Sequence, residues 1–270
     1  PAVASVSRGD TIAASMIDTH CHLTDLRLAE QLDDVLARAA TAGVRQMITI
    51  GTDLDDDQAA ITLCERLANV RCAVGIHPNY VTEAHRQQVS RLGELQAHPA
   101  VLAIGEMGLD YHYDRAPRTL QRELFEAQLQ IADQVGKPVV IHCREAVEDT
   151  LAILRQFPRV RAVFHCFTGT PEEAEAIASA GYWIGFTGPV TFKKNDALRE
   201  AARRVPIDRI VVETDAPYLS PEPMRKQKTN EPALVIHTAA VVAGMHGLSI
   251  EAFDARTTQN AKELFGWPGA

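Results

Sequence analysis

Eight short apolar runs recur along the chain at intervals of about 20 to 35 residues, and most are rich in valine and isoleucine. They span Met16–His20, Gln46–Gly51, Arg71–His77, Val101–Glu106, Pro138–His142, Ala162–His165, Tyr182–Thr187 and Ile210–Asp215. Most of the stretches between them place apolar residues three and four positions apart with charges between, which is the spacing of an amphipathic helix. The pattern therefore predicts strands that alternate with helices.

The helical spacing is clearest in four of the intervening stretches. They are Leu28–Ala42, Gln58–Ala68, Thr119–Val135 and Asp196–Arg204. Another helix is predicted to begin after Thr170, because Thr170 can cap its N-terminus, Pro171 fits the first helical position and Glu173 completes a capping box. After the eighth run, Pro232–Gly266 predicts two more helices packed outside the rest.

Eight strands alternating with helices, without a linker-like change in composition, predict an α/β fold. We expect a (β/α)8 TIM barrel that forms a single domain over residues 16–270, with extra C-terminal helices. A doubly wound open sheet is the alternative, and it is less favoured because no glycine-rich phosphate loop follows the first run. Residues 1–15 lack the continuous apolar segment of a secretory signal, and we expect a disordered N-terminal extension there.

Composition and charge narrow the function classes. The net charge of −8 disfavours tight duplex binding by bulk neutralisation of phosphates, so a phosphate ligand would have to meet metal ions and a few local cations. No stretch approaches the roughly 20 apolar residues of a membrane span. Five cysteines without a Cys-x-x-Cys spacing argue against disulfides. We therefore expect a cytoplasmic protein without a membrane partner, and a monomer is favoured.

Residues of the types that bind metals stand at the predicted carboxyl ends of the strands. They are His20, His22, His77, Glu106, His142, His165 and Asp215. His20 and His22 are two positions apart, so a strand directs both side chains to one face. In a (β/α)8 barrel these ends meet at one mouth, where several imidazoles and two carboxylates would repel or remain unpaired without cations. The set suits one or two divalent ions of the Zn, Mn, Co or Mg type.

Seven short motifs follow one another along the chain over residues 16–266. They are IDTHCHL, GIHPN, IGEMGLDYH, PVVIHCRE, FHCFTG, ETDAPYL and NEP. With these motifs in this order the chain resembles the TatD family of metal-dependent deoxyribonucleases, within the amidohydrolase-like metal-dependent hydrolases. Other branches of that superfamily place a carboxylated lysine where this chain has Glu106. The chain departs from the family pattern in residues 221–232, a longer loop with Met224 where relatives more often have His, Tyr or Phe.

The resemblance implies a site for two divalent metal ions, which would be Mg, Mn or Zn. The implied ligands are His20, His22 and Asp215 for one ion, His142 and His165 for the other, and Glu106 bridging the two. The resemblance further implies that His77 contacts the scissile phosphate. Arg144 and Lys193 are similarly expected to contact phosphate or the nucleic-acid backbone.

The expected chemistry is hydrolysis of a phosphodiester bond of DNA. In this hypothesis a metal-bound hydroxide attacks phosphorus, Asp215 orients the water and accepts its proton, and His77 stabilises charge on the phosphate oxygens. A 3′→5′ exonuclease action is implied by the resemblance, whereas the preference for single strands follows from the narrow cup and the acidic charge. Aromatic residues near the mouth are candidates for base stacking. They are Tyr80, Tyr111, Tyr113, Phe167 and Phe192.

Two other functions remain open at this stage. The same metals polarise carbonyl groups, so an amide, lactone or ester hydrolase, including an aminoacyl-tRNA deacylase, is an alternative. Arg144 and Lys193 disfavour a small neutral substrate, but only mildly. A non-catalytic metal-binding scaffold is the alternative from another class, and it is disfavoured because every expected ligand is present.

Overall fold

The computed structural model describes residues 16–267, within which eight parallel strands form one sheet in sequence order. The strands are β1 (Met16–Cys21), β2 (Val44–Ile50), β3 (Val70–Val74), β4 (Val101–Asp110), β5 (Val139–Arg144), β6 (Ala162–Phe164), β7 (Trp183–Phe186) and β8 (Ile210–Val212). A parallel bridge between Cys21 and Ala216 joins the two edges of the sheet. The predicted (β/α)8 barrel is confirmed. The predicted extension, residues 1–15, lies outside the described residues.

Helices connect successive strands and continue beyond the last one. They are α1 (Leu26–Ala29), α2 (Leu32–Thr41), α3 (Leu54–Arg66), α4 (His85–Gln88), α5 (Leu92–Leu95), α6 (Arg118–Val135), α7 (Val147–Leu154), α8 (Pro171–Ser179), α9 (Asp196–Arg204), α10 (Val235–Met245) and α11 (Ile250–Phe265). The capping box predicted at Thr170 and Glu173 is present at the start of α8. The single helix predicted over Leu28–Ala42 is divided into α1 and α2. Helix α3 begins four residues before its predicted start, because the Asp53 side chain caps it there.

Apolar side chains fill two regions of the barrel. One lies between the sheet and the surrounding helices, and the other lies in the interior enclosed by the sheet. In the inner region Ile17 and Trp183 pack in the same cluster as Leu264 and Phe265 of α11. The last turn of α11 thus reaches the barrel interior, whereas the sequence predicts it only outside.

Within residues 16–267 no single helix is long and apolar enough to cross a membrane. Only α10 and its flanking 3₁₀ turn together with α11, bent by 104°, reach that length and apolarity.

Strand β4 continues past the residue at which the sequence predicts its end. It runs to Asp110, so the prediction that Glu106 terminates the strand is wrong. Gly105 and Gly108 have φ angles of 144° and 138°, and the register with β5 shifts just before Met107. A Cβ at either glycine would overlap the backbone of β5, so this close approach requires glycine. The irregular path directs Glu106 toward the barrel mouth while Met107 packs in the outer layer.

A buried carboxyl on α3 makes stability depend on pH. Asp57 Oδ1 accepts the N–H of Gly75 at 2.9 Å, and Oδ2 has no hydrogen-bond partner among the residues described. Burial raises the pKa of Asp57 well above its ordinary value. In the unfolded chain this carboxyl has a pKa of about 3.9. The free energy of unfolding therefore falls as the pH rises from that value to the pKa of Asp57 in the folded state.

We therefore expect Asp57→Asn to gain stability relative to the native chain as pH increases. Between the two pKa values of Asp57, the free energy of unfolding of the variant rises relative to that of the native chain by up to ~1.4 kcal/mol per pH unit, because asparagine does not ionise. Urea unfolding near pH 5 and near pH 8 measures it, with Asp55→Asn, an exposed carboxylate in the same helical turn, as the matched control. Any pH-independent cost of the buried amide cancels between the two conditions. A difference between variant and native chain that is the same at both pH values would contradict this account.

Candidate metal centre

The carboxyl ends of the strands surround a cavity of about 570 Å³. Its lining includes His22, His77, Asn79, Tyr80, Glu106, Tyr113, Arg115, His142, His165, Asp215 and Tyr218. Donor atoms there form three groups, and within each group the atoms lie within 4.8 Å of one another. The groups are His20, His22 and Asp215; His20, Glu106 and His165; and His77, Glu106 and His142. The structure thus brings together all seven polar residues that the sequence places at the mouth.

His20, His22 and Asp215 aim three donor atoms at one point. His20 Nε2 lies 3.3 Å from His22 Nε2, and Asp215 Oδ1 lies 3.8 Å from the first nitrogen and 3.4 Å from the second. Ligands held about 2.0–2.2 Å from one tetrahedral zinc-type ion lie about 3.3–3.6 Å apart. Two of the three distances lie in this range and the third is slightly longer, so the three atoms can converge on a single divalent ion.

The backbone holds Asp215 in place beside His20. Asp215 has a φ of 56°, a left-handed conformation that side-chain-bearing residues seldom adopt. Its N–H donates to the carbonyl oxygen of His20 at 2.9 Å, and its own carbonyl accepts the N–H of Tyr218 at 2.8 Å. Such conformations persist where surrounding contacts determine them, so these bonds fix the direction of the carboxylate.

Glu106 faces two sets of donor atoms with its two oxygens. Oε1 lies 2.8 Å from His142 Nδ1 and 2.9 Å from His165 Nε2. Oε2 lies 3.4 Å from Nε2 of His20, which belongs to the first group. A carboxylate with one oxygen toward each set has the arrangement needed to bridge two ions.

Hydrogen bonds on the side away from the site determine which ring nitrogen of His22 and of His142 carries the proton. His22 Nδ1 lies 3.2 Å from the carbonyl oxygen of Ile50, and His142 Nε2 lies 2.9 Å from Asp110 Oδ2. Both outer groups can only accept, so we assign the proton to these nitrogens. The inner nitrogens, His22 Nε2 and His142 Nδ1, then keep a free lone pair. Outer acceptors of this kind are typical of metal-binding histidines.

His77 has the opposite arrangement. Its Nδ1 accepts the backbone N–H of Asn79 at 3.0 Å, so in the neutral ring the proton is on Nε2. Burial lowers the pKa of His77, which keeps the ring neutral at neutral pH. Nε2 lies 3.2 Å from His142 Nδ1 and 3.5 Å from Glu106 Oε1. His77 therefore offers a hydrogen-bond donor inside the cavity, and this tautomer has no lone pair there for a metal.

The ionisation states at the centre depend on Glu106. Burial would raise the pKa of its carboxyl, but the positive charge of His165 and the contacts with neighbouring imidazoles outweigh burial and hold the pKa well below its usual range. Burial would likewise lower the pKa of His165, but Glu106 and Glu213 raise it well above the ordinary value. A buried anion surrounded by imidazole donors is the environment that a divalent cation requires.

Two buried carboxylates next to the centre were missed by the sequence reasoning. Asp110 binds His142, and Glu213 Oε1 lies 3.3 Å from His165 Nδ1. Glu213 points beneath the site because Gly185 leaves room: a Cβ there would lie 2.5 Å from its carboxylate. A signal existed for Glu213, since a strand over the predicted run Ile210–Asp215 would direct it to the same face as Asp215. Asp110 was missed because β4 was ended four residues too early.

We expect Asp110→Asn to reduce both metal affinity and kcat/KM by about 10- to 100-fold, because outer-shell partners of ligating histidines have effects of that size. The neutral amide of the variant cannot hold the proton on His142 Nε2 as a carboxylate does, and the ring loses its orientation. Metal titration and steady-state kinetics measure the two effects. Asp114→Asn, an exposed carboxylate in the same loop, is the control. An unchanged metal affinity in Asp110→Asn would show that Asp110 does not position His142.

The structure does not place the other predicted substrate residues on the cavity lining. The hydroxyl of Tyr111 donates to Asp149 at 2.6 Å, so this side chain is directed away from the cup. The guanidinium of Arg144 lies 5.3 Å from the ring centre of Tyr113, and Lys193 is exposed on the loop after β7.

Of the predicted aromatic residues, Tyr80 and Tyr113 line the cavity, whereas Phe167 is buried and Phe192 lies under Arg225. Tyr218 and Arg115 are among the lining residues that were not predicted. Arg115 has no carboxylate partner among residues 16–267, so it adds a cation to the cup.

A (β/α)8 barrel that gathers histidines and carboxylates at its mouth has the architecture of the metal-dependent hydrolases. Comparison with known proteins places the chain within that class. The family of TatD related DNases has a model that matches residues 17–266, and the chain belongs to this family. The predicted family and the prediction of a metal-dependent hydrolase are confirmed, which argues against the non-catalytic scaffold.

Several relatives match the chain over nearly its whole length. It is 36% identical to the uncharacterized metal-dependent hydrolase YabD of Bacillus subtilis, over 93% of this chain and 98% of that protein. It is 38% identical to the protein named 3′-5′ ssDNA/RNA exonuclease TatD of Erwinia billingiae, over 94% of this chain and all of that protein. The crystal structure of YjjV, a TatD homologue from Escherichia coli, is similar with a TM-score of 0.87 and 27% identity, covering 94% and 99% of the two chains.

Proposed function

We propose that this hydrolase cleaves phosphodiester bonds of DNA at a centre of two divalent ions, and that it removes nucleotides from the 3′ end of single strands. The observation that carries the proposal is the position of Glu106 between two sets of donor atoms. A pair of ions suits in-line displacement at phosphorus, where attacking and leaving oxygens both need stabilisation. The bound ions, Mg, Mn or Zn, would activate water and withdraw charge from the phosphate.

In this proposal His20, His22 and Asp215 would hold one ion, as one of the groups of donor atoms suggests. His142 and His165, whose ring nitrogens lie 2.8 and 2.9 Å from Glu106 Oε1, would hold the other. Glu106 would join the two, since its other oxygen faces His20. All six side chains are at least half-buried and extend from strand segments or their ends, so the site changes little in shape when it binds ions.

The remaining groups of the cup act on the substrate. Asp215 orients the attacking water and accepts its proton as the new bond to phosphorus forms. His77 Nε2–H donates to a phosphate oxygen, and Arg115 supplies a positive charge to the same group. The bond from phosphorus to the upstream 3′ oxygen breaks, and that oxygen takes a proton from solvent.

The shape of the cup supports a single-stranded substrate. Glu106 at the floor of the cup is 2% exposed, so a phosphate reaches it only when the strand end enters the cavity. A duplex lying across the mouth would keep its phosphates at the rim. The residues Tyr80, Tyr113 and Tyr218 are 42–46% exposed at that rim, where their rings can stack on bases. The 3′ end preference is supported by the similarity to the Erwinia relative that is named a 3′-5′ ssDNA/RNA exonuclease.

Comparison of substrate classes tests this function against carbonyl hydrolysis. The purified protein is supplied with Mg, Mn or Zn and given bis(p-nitrophenyl) phosphate, p-nitrophenyl acetate and an aminoacyl ester in parallel. We expect kcat/KM to be highest for the phosphodiester and to be abolished by EDTA, because His77 and Arg115 are directed at phosphate oxygens. Higher turnover of the acetate or the aminoacyl ester would favour the carbonyl hydrolase and reject the phosphodiesterase.

A further inference from the structure

The loops that follow β7 and β8 carry an excess of positive charge. Their cations are Lys193, Lys194, Arg225, Lys226 and Lys228, and all five are exposed. None of the five forms an ion pair with a carboxylate of residues 16–267. The residues 221–232 contain two carboxylates, of which Glu231 is engaged by Arg38 at 2.7 Å, so only Glu222 remains to offset the cations. Such a concentration of unpaired cations, on a chain of net charge −8, creates a local positive potential that attracts anions.

Contacts between the two loops hold them together and bring their cations to one side of the cup. The Thr191 hydroxyl accepts the N–H of Glu222 at 2.8 Å, and the Arg225 guanidinium lies 4.0 Å from the ring centre of Phe192. The buried Asn230 amide donates to the carbonyl oxygens of Thr214 and Tyr218 at 2.9 and 2.6 Å. Because Thr214 precedes the metal-centre residue Asp215, the second loop is anchored directly to the candidate site.

Exposed apolar side chains connect the cup with this charged surface. Tyr218 lines the cavity with its ring 5.9 Å from that of His22, and Leu219 and Met224 follow on the same loop. These three side chains are 38–44% exposed. Apolar side chains interleaved with unpaired cations are typical of surfaces that bind single-stranded nucleic acid, with bases on the former and phosphates on the latter.

The side of the cup formed by the loops after β2 and β3 lacks this charge excess. A second cavity of about 500 Å³ beyond Tyr80 contains Arg91 and Arg115, but Asp53 and Asp55 also line it. Its charges balance, so it does not favour a chain of phosphates. Of these two sides, the loops after β7 and β8 are therefore the better exit for a strand whose end is in the cup.

We propose that these two loops form a track for the sugar-phosphate backbone of a single strand, holding the nucleotides upstream of the scissile bond. The track consists of Lys193, Lys194, Arg225, Lys226 and Lys228, with Leu219 and Met224 between them and the cup. This proposal rests on the proposed function, which supplies the strand end at the metal centre. Of the five cations, only Lys193 was expected from the sequence to contact phosphate. Three of the other four, Arg225, Lys226 and Lys228, belong to the loop 221–232.

Charge reversal at two positions tests the track. Lys226→Glu/Lys228→Glu is compared with Arg256→Glu/Lys262→Glu, which makes the same change in net charge on exposed residues of α11. Arg225 is left in place because it packs on Phe192. Binding of 5′-labelled dT4 and dT16 is followed by fluorescence anisotropy in EDTA at several salt concentrations, so that no strand is cut. Thermal melting of both variants verifies their folding.

We expect the track variant to bind dT16 about tenfold more weakly than the native chain at low salt, and the control to bind as the native chain does. Each lost phosphate contact reduces the dependence of log Kd on log salt by about 0.7, so two contacts reduce it by about 1.4. The ratio of kcat/KM for dT16 to that for dT4 should fall in the track variant alone. Equal weakening by both pairs, or equal affinity for dT16, would overturn the track.

Failure of the track and failure of the proposed function give different results. Native protein that shortens dT16 while the track variant behaves like the control would reject the track and keep the nuclease. Native protein that binds dT16 through Lys226 and Lys228 without shortening it in Mg or Mn would keep the track and reject the nuclease.

Discussion

Replacement of Glu106 by glutamine is expected to reduce kcat/KM for a phosphodiester by about a thousandfold or more, which corresponds to ~4 kcal/mol of lost transition-state stabilisation. Glu106 contacts donor atoms of both candidate metal sets. An amide has one acceptor oxygen and no charge, so it cannot bridge two cations or compensate their charge in a buried site. The amide nitrogen would also point a donor at a metal or an imidazole.

Metal content distinguishes this explanation from simple misfolding. By elemental analysis we expect about two ions per native chain and one or none in Glu106→Gln, and a cooperative thermal transition of the variant in EDTA shows that it is folded. Glu263→Gln, on the exposed face of α11, is the matched control and should retain both metal and activity. A Glu106→Gln protein with full metal content and near-native turnover would exclude Glu106 as the bridge.

Replacement of His77 by alanine should have a different signature, with a large loss of kcat and no loss of metal. Removing one donor that stabilises a developing charge costs about 10²- to 10³-fold in kcat. His77 is assigned this role because Asn79 donates to its Nδ1 and leaves the proton on Nε2, inside the cavity. Elemental analysis and steady-state kinetics on the same preparations separate the two effects.

The control for His77 is His112→Ala, since His112 lies near the mouth but pairs with Glu145 at the exposed surface. We expect the control to keep native kcat and native metal content. If His77→Ala lost one ion per chain, His77 would be a ligand, and the tautomer inferred from its bond to Asn79 would be wrong.

The six implied ligands were within reach of sequence reasoning because each lies on a strand or within three residues of its end. A strand directs alternate residues to one face, so His20 and His22 could be paired from their spacing alone. The barrel then required the other ends to meet at one mouth. Neither step depends on the details of loops or side-chain packing.

Features that depend on backbone irregularity were not predictable in this way. The positive φ angles of Gly105 and Gly108 shift the register of β4, and a period of two residues cannot reveal such a shift. Asp110 was therefore overlooked although it fixes the orientation of His142. Residues beyond strand ends are similarly difficult, because loop geometry decides their direction. Tyr111 binds Asp149 instead of facing the cup for this reason.

Degradation of a 5′-labelled single-stranded oligonucleotide over time tests the central claim most directly. The reaction is run with Mg or Mn, with EDTA, and with the Asp215→Asn protein, and a strand annealed to its complement is followed in parallel. We predict a ladder that shortens from the 3′ end with metal, no ladder with EDTA or Asp215→Asn, and slower shortening of the duplex. An oligonucleotide that stays intact with metal present, while the protein retains its bound ions, would contradict the phosphodiesterase.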